Sequence, residues 1–268
     1  MPRNAARSET VMKPCVESPL PVRGVEFGGP KPLFCVPLVA QSPEELAEQA
    51  RVAHRLAPDL IEWRADYSSD LAPENLVRDA RMLREIVANI AIVFTLRVKS
   101  EGGAQAISQA HRRAAIERVL RSDSIDIVDL ELASEPEFLD PLMALAKHRG
   151  VRVILAFHDF SSTPPNEELS ARIRAMHARG ADIAKIAVMP RVPEDVPRLF
   201  QVTIAARAAF PAMPLAMMSM GGLGSITRVA GFLYGSDMAF AVAQESSAPG
   251  QIPLEDARRM AELILRYS

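Results

Sequence analysis

The sequence predicts an α/β protein, a single (β/α)8 TIM barrel with an N-terminal β-hairpin, and three observations predict it. Eight short apolar runs alternate with eight helical stretches from about residue 33 to the end. The chain has 268 residues, close to the ~250 that one such barrel uses. No glycine-rich dinucleotide loop follows the first run, where a doubly wound sheet usually carries one. Repeated βα units imply a parallel sheet, and eight of them in this length favour closure over an open sheet.

Residues 1–21 are rich in Pro, Arg and Ser and lack the apolar core of a secretory signal, so they read as a disordered leader. The barrel domain then takes residues 22–268. Its first segment, 22–32, contains Gly24, Gly28 and Gly29 and reads as a hairpin placed to plug the barrel bottom. Strands are predicted at 33–39, 60–64, 91–97, 126–132, 151–157, 182–188, 215–219 and 238–242. Several are rich in Val, Ile and Leu on both faces, as buried parallel strands should be. Ser42-Pro43-Glu44-Glu45 opens the first helix with capping-box spacing and Pro at the first helical position. Further helices are predicted over 73–87, 104–121, 136–149, 166–179, 194–209, 226–234 and 254–266.

Hydrophobic residues make up 49% of the chain, enough for a sizeable core. The 31 basic and 33 acidic side chains leave a formal charge of −2, which gives no overall attraction to nucleic acid or anionic membrane. An anionic substrate would therefore be held by a few placed arginines. No apolar run reaches the ~18 residues that span a bilayer. Cys15 and Cys35 show no metal-ligand spacing, and a chain this long needs no disulfide staple, so a reduced, cytoplasmic protein without metal is expected. The run Gly221–Gly224 lacks the Gly-Lys-Ser/Thr of a nucleotide loop and suggests only an anion site of some kind.

Polar residues stand out where barrel strands should be apolar, because strand C-terminal ends face the active site of such a fold. Lys185 lies between Ile183-Ala184 and Ile186-Ala187-Val188. Burying an ammonium there costs several kcal/mol unless it is paired or loses its proton. Either a carboxylate such as Asp129 or Glu131 neutralises it, or it is a nucleophilic amine able to attack a ketone. His158 ends another apolar run, whereas His54, His111, His148 and His177 fall on helical, solvated positions. A histidine near an imine-forming lysine can shuttle protons; alone, His158 is equally compatible with a structural role. Glu62 with Arg64, and Asp129 with Glu131, are spaced two apart and share a strand face, as a buried charge lattice or as site groups. Arg97 ends a strand just before Glu101-Gly102-Gly103, and Arg228 follows the glycine run, where a guanidinium can grip a carboxylate bidentately. Residues 246–251, including Ser247 and Gln251, compose either a lid or an ordinary connection.

Together these motifs resemble the type I 3-dehydroquinate dehydratases over more than nine tenths of the chain. Glu62-Trp63-Arg64-Ala65-Asp66 resembles the family's substrate-binding strand, Asp129-Leu130-Glu131-Leu132 with His158-Asp159-Phe160 its signature, and Lys185 its Schiff-base lysine. Arg97, Glu101, Arg228 and the segment from Ser247 to Gln251 complete the likeness. Phe157 departs from it, standing before His158 where a polar residue is common. The resemblance implies dehydration of 3-dehydroquinate to 3-dehydroshikimate without metal or cofactor, in a cytoplasmic homodimer. Lys185, His158 and Glu101 would be catalytic, and Glu62, Arg64, Arg97, Arg228, Ser247 and Gln251 would bind substrate. The competing readings are another imine-forming barrel of the class I aldolase type, a non-catalytic carboxylate-binding barrel, and the same reaction serving quinate breakdown.

Overall fold

Strands β1 (Leu20–Val22) and β2 (Val25–Phe27) pair antiparallel through Val22 and Val25, with Gly24 supplying the turn at φ +78°. This computed structural model describes residues 14–267. The hairpin starts at Leu20, ahead of the expected boundary at 22, and Val16 is buried with its N–H on the Gly28 carbonyl at 3.1 Å. The end of the expected leader is therefore packed, because the hairpin gives Val16 an apolar seat; residues 1–13 lie outside the described residues.

The barrel strands are β3 (Leu33–Leu38), β4 (Leu60–Arg64), β5 (Ala91–Thr95), β6 (Ile127–Glu131), β7 (Arg152–Asp159), β8 (Ile183–Val188), β9 (Leu215–Ser219) and β10 (Met238–Val242). All pair in parallel, β10 beside β3 and then in chain order to β9. A two-residue strand, β11 (Ile252–Pro253), adds to the edge of β10 that β3 does not use. Among the described residues no ladder joins β9 to β10. The residues just before β10 bridge them: Asp237 N donates to Leu215 O at 2.6 Å, Asp237 Oδ2 accepts the Leu215 N–H at 2.9 Å and Ser236 Oγ that of Met217 at 3.0 Å.

Helices α1 (Pro43–Leu56), α2 (Pro73–Val87), α3 (Gln109–Leu120), α4 (Pro136–His148), α5 (Asn166–Ala178), α6 (Asp195–Ala209), α7 (Gly221–Gly224), α8 (Ile226–Ala230) and α9 (Leu254–Tyr267) surround the sheet. Ser42 Oγ caps α1 by accepting from Glu45 N at 3.2 Å, and the Glu45 carboxylate reaches back to Gln41 N at 2.7 Å. Three expectations are corrected. Helix α3 begins at Gln109, not at 104, because Ala104 N and Gln105 are held by the Asp66 segment and Ser108 supplies the cap. The stretch 226–234 splits into α8 and a 3-10 turn, Gly231–Tyr234. Strand β7 runs on to Asp159, which places His158 inside it.

Outward-facing apolar residues such as Val36, Trp63, Phe94 and Leu155 pack against the helices, with the Trp63 and Phe94 rings 5.2 Å apart. A second cluster fills the barrel interior, where Val22 and Phe27 of the hairpin meet Leu33, Leu60, Ala91, Ile154 and Ile183 near the strand starts. The hairpin closes the barrel bottom, as expected from its position, and leaves the opposite end open.

Candidate active site

Along each strand, alternate residues face the interior. The inward set is apolar at the bottom and polar above. On β4 it runs Leu60, Glu62, Arg64; on β6, Ile127, Asp129, Glu131; on β7, Ile154, Ala156, His158; on β8, Ile183, Lys185. Register puts Ala156 beside Lys185 and His158 beside Ala187, so histidine and lysine share one interior face a step apart. Phe157 points the other way, its ring 3.7 Å from the Arg172 guanidinium of α5, and takes no place beside His158 in the interior.

Lys185 is 4% exposed, and both readings of it meet in its surroundings. Its Nζ donates to Asp129 Oδ2 at 2.7 Å and Glu62 Oε1 at 3.2 Å, and lies 4.5 Å from the Phe240 ring centroid. Glu62 Oε1 also accepts from Thr95 Oγ1 at 2.9 Å. Arg97 donates to Asp129 Oδ1 at 2.8 Å and Glu131 Oε1 at 2.9 Å. Arg112 of α3 reaches inward to the other Glu131 oxygen and to Leu96 O at 2.7 Å. Burial alone would pull the Arg97 guanidinium down, yet Asp129 and Glu131 hold it above its ordinary range. Burial would likewise raise the Asp129 carboxyl, but Arg97 and Lys185 keep it low. Asp129 and Glu131 thus form the charge lattice that their spacing allowed, and the lattice carries the lysine.

Glu101 Oε2 accepts both the backbone N–H of His158, at 3.0 Å, and a bond with His158 Nδ1, at 3.1 Å, leaving Nε2 for the cavity. Burial lifts the Glu101 carboxyl to about 7, Arg97 opposing and Glu131 reinforcing. Burial also lowers His158 well below its usual range, helped by Arg97, Lys185 and Arg64. Burial thus disfavours the charged form of each partner. The folded protein keeps a proton on Glu101 that the unfolded chain releases near 4.5, so this stability is full below about 4.5 and is lost as pH rises to about 7. The melting temperature of Glu101→Gln relative to the parent is therefore expected to climb across that window. A flat difference in calorimetry over the same range would contradict it.

Arg228 is 3% exposed and has no carboxylate partner among the described residues. Its NH1 and NH2 groups donate to Phe240 O at 3.3 Å and Pro249 O at 3.1 Å, and its Nε is buried without a partner. Burial with no compensating anion lowers its pKa to about 10. A buried guanidinium so placed is a seat for an anion. Over it lies the segment 246–251, docked by Gly221 N on Pro249 O at 3.1 Å. Gly250 sits at φ +79°, and a Cβ there would meet Gly221 O at 2.3 Å, so only glycine allows this approach. Ser247 and Gln251 bond to each other, Gln251 Nε2 donating to Ser247 Oγ at 3.2 Å.

All nine residues that the resemblance assigns to the site line one cavity. The model of the type I 3-dehydroquinase family matches residues 34–267. The chain belongs to the type I 3-dehydroquinase family. The 3-dehydroquinate dehydratase of Geobacillus sp. (strain WCH70) is 42% identical over 248 residues, covering 92% of this chain and 95% of that one. That of Aromatoleum aromaticum (strain DSM 19018 / LMG 30748 / EbN1) is 41% identical over 89% and 92% of the two chains. The crystal structure of the Geobacillus kaustophilus HTA426 3-dehydroquinate dehydratase superposes with a TM-score of 0.92 at 41% identity, covering 94% of this chain and 98% of that chain.

This type I 3-dehydroquinase site also contains residues that sequence reasoning missed. Phe160, Met218, Met220 and Phe240 make its apolar wall. Met218 and Phe240 were discoverable from strand alternation, since they lie two residues beyond inward Ala216 and Met238. Thr95 was visible as a polar residue between Phe94 and Leu96. Arg112 gave no signal, because it sits on a helix between His111 and Arg113. Arg64 lines the cavity, but its Nε and NH2 are engaged by Asp66 at 2.9 and 2.8 Å.

Proposed function

We propose that the chain catalyses the reversible dehydration of 3-dehydroquinate to 3-dehydroshikimate through an imine on Lys185. One observation carries this reading: a buried strand lysine, a histidine–carboxylate pair and a carboxylate-free buried arginine share one cavity. Lys185 Nζ, once deprotonated, attacks the substrate ketone, and loss of water from the carbinolamine gives the iminium. His158 Nε2 takes a proton from the adjacent carbon, and the iminium nitrogen accepts the electron pair. The enamine then expels the neighbouring hydroxyl, which leaves as water with the proton returned by His158. A second water hydrolyses the conjugated imine and frees Lys185, so the net change is loss of one water. Glu101 orients His158 and supports its cationic form. Glu62, Arg64, Arg97, Ser247 and Gln251 bind substrate hydroxyls or cover the site.

Incubation with 3-dehydroquinate, followed by ultraviolet absorbance of the conjugated product, tests the reading. Absence of turnover, with turnover of aldol substrates instead, would sink it in favour of an aldolase. Arg228 is assigned to the substrate carboxylate. Arg228→Ala is expected to raise KM on the order of 10²-fold, since it removes a charge-assisted pair in a buried place. An unchanged KM in steady-state kinetics would move the anion seat elsewhere.

Among the described residues no helix is long and apolar enough to cross a membrane. A cytoplasmic location is proposed, supported by Cys35 standing as a buried free thiol. Association as a homodimer is also proposed; Met260, Leu263 and Tyr267 leave an exposed apolar stripe on α9. A solution mass equal to one chain, by light scattering, would refute the dimer.

A further inference from the structure

We propose that Asp66, which does not itself line the cavity, is the positioning residue that sets Glu101 against His158. The inference rests on the reading of Glu101 and His158 given above. Asp66 is 0% exposed and does not line the cavity. It sits in the 3-10 turn Ala65–Tyr67 just after β4. Both carboxylate oxygens are fully used. Oδ1 accepts from Arg64 Nε at 2.9 Å and from Arg97 N at 3.4 Å. Oδ2 accepts from Arg64 NH2 at 2.8 Å and from Ala104 N at 2.9 Å. The Asp66 carbonyl also accepts from Gln105 Nε2 at 3.0 Å.

These bonds hold one loop at both ends, and Arg64, which Asp66 fixes, holds its middle. Arg97 N is its start, Ala104 N its end, and Arg64 NH2 holds its middle through Gly102 O at 3.1 Å. Within the loop, Val98 O accepts from Glu101 N at 3.1 Å and from Gly103 N at 2.9 Å, making a tight turn that projects the Glu101 side chain. On the far side, Phe160 of the β7 exit packs against Gly102, where a Cβ would meet its ring at 2.3 Å. Gly102, the residue next to Glu101, therefore lies between Arg64 and Phe160. The cost of a buried carboxylate is met by four donors from three segments that must keep their spacing.

The substitution Asp66→Asn keeps the shape and exchanges one acceptor for an NH2 group. That group then faces an N–H, either of Arg64 with Arg97 or of Arg64 with Ala104, and the clamp opens on one side. The expected result is a kcat lower by about 10²-fold with KM little changed, since small misplacements of catalytic groups carry losses of that order. Borohydride trapping of the imine should persist, and the pH profile of kcat should take the displaced form of Glu101→Gln.

The deciding measurement is the double variant Asp66→Asn/Glu101→Gln. If Asp66 acts through Glu101, the double variant is no slower than Glu101→Gln within about twofold. Losses that multiply would overturn the proposal while leaving the role of Glu101 intact. A fully active Glu101→Gln would overturn both, because Asp66 would have nothing to position. Should Asp66→Asn fail to fold, Gly102→Ala displaces the same loop from the Phe160 side and must obey the same non-additivity. Asp79→Asn, at a buried carboxylate on α2, controls for loss of stability alone and should leave the pH profile in place.

Discussion

Borohydride reduction in the presence of 3-dehydroquinate is expected to leave a covalent adduct on the parent protein and none on Lys185→Ala. Turnover of that variant should fall on the order of 10⁴-fold or more, because the imine is the electron sink on which elimination depends. The substitution also removes the ammonium between Asp129 and Glu62. Breaking a buried pair costs on the order of 3–5 kcal/mol, and the low end applies here because Asp129 keeps Arg97. Lys185→Met, which retains an apolar stem against Phe240, separates the two effects. It should trap no adduct while melting closer to the parent than Lys185→Ala. A full-yield adduct on either variant, seen by intact mass, would place the nucleophile elsewhere.

His158→Ala separates imine formation from elimination. The expected kcat loss is about 10²–10⁴-fold, the usual share of a positioned proton carrier. Adduct trapping should continue, since Lys185 keeps its place on β8 and its carboxylate neighbours. The variant leaves Glu101 in a buried setting without the His158 ring, and that carboxyl already sits at about 7. The backbone N–H of residue 158 can still donate to Glu101 Oε2 in that variant. Undiminished turnover would remove His158 from the mechanism, and loss of trapping would move its role earlier, to the formation of the imine.

The barrel was legible because alternation and length are global properties that single residues cannot disguise. Strands β4, β9 and β10 end where the apolar runs end, since a turn signal follows each. The start of α3 was not legible. Residues 104–108 have helix-compatible composition, but the nearby Asp66 claims the N–H of Ala104, a contact 38 positions away in sequence. Lys185 and His158 stood out because a polar group in an apolar strand demands a reason. Arg112 did not, because its neighbours His111 and Arg113 are also basic and only burial distinguishes it. Pairing was the other hidden layer. The sequence places Glu62, Asp129 and Glu131 on inward faces, yet which cation each holds depends on strand register, which propensity does not encode.

The joint between β9 and β10 gives the barrel a clasp. Seven neighbouring pairs are stitched by continuous backbone ladders, whereas this one is fastened by Asp237 and Ser236 near the base, with β11 occupying the upper edge of β10. The loops leaving those two strands carry Arg228 on one side and Ser247 with Gln251 on the other. Arg228 on Phe240 O and Pro249 O, and Gly221 N on Pro249 O, cross the same joint from above, so the anion seat and its cover are fastened to each other where the strands are not laddered.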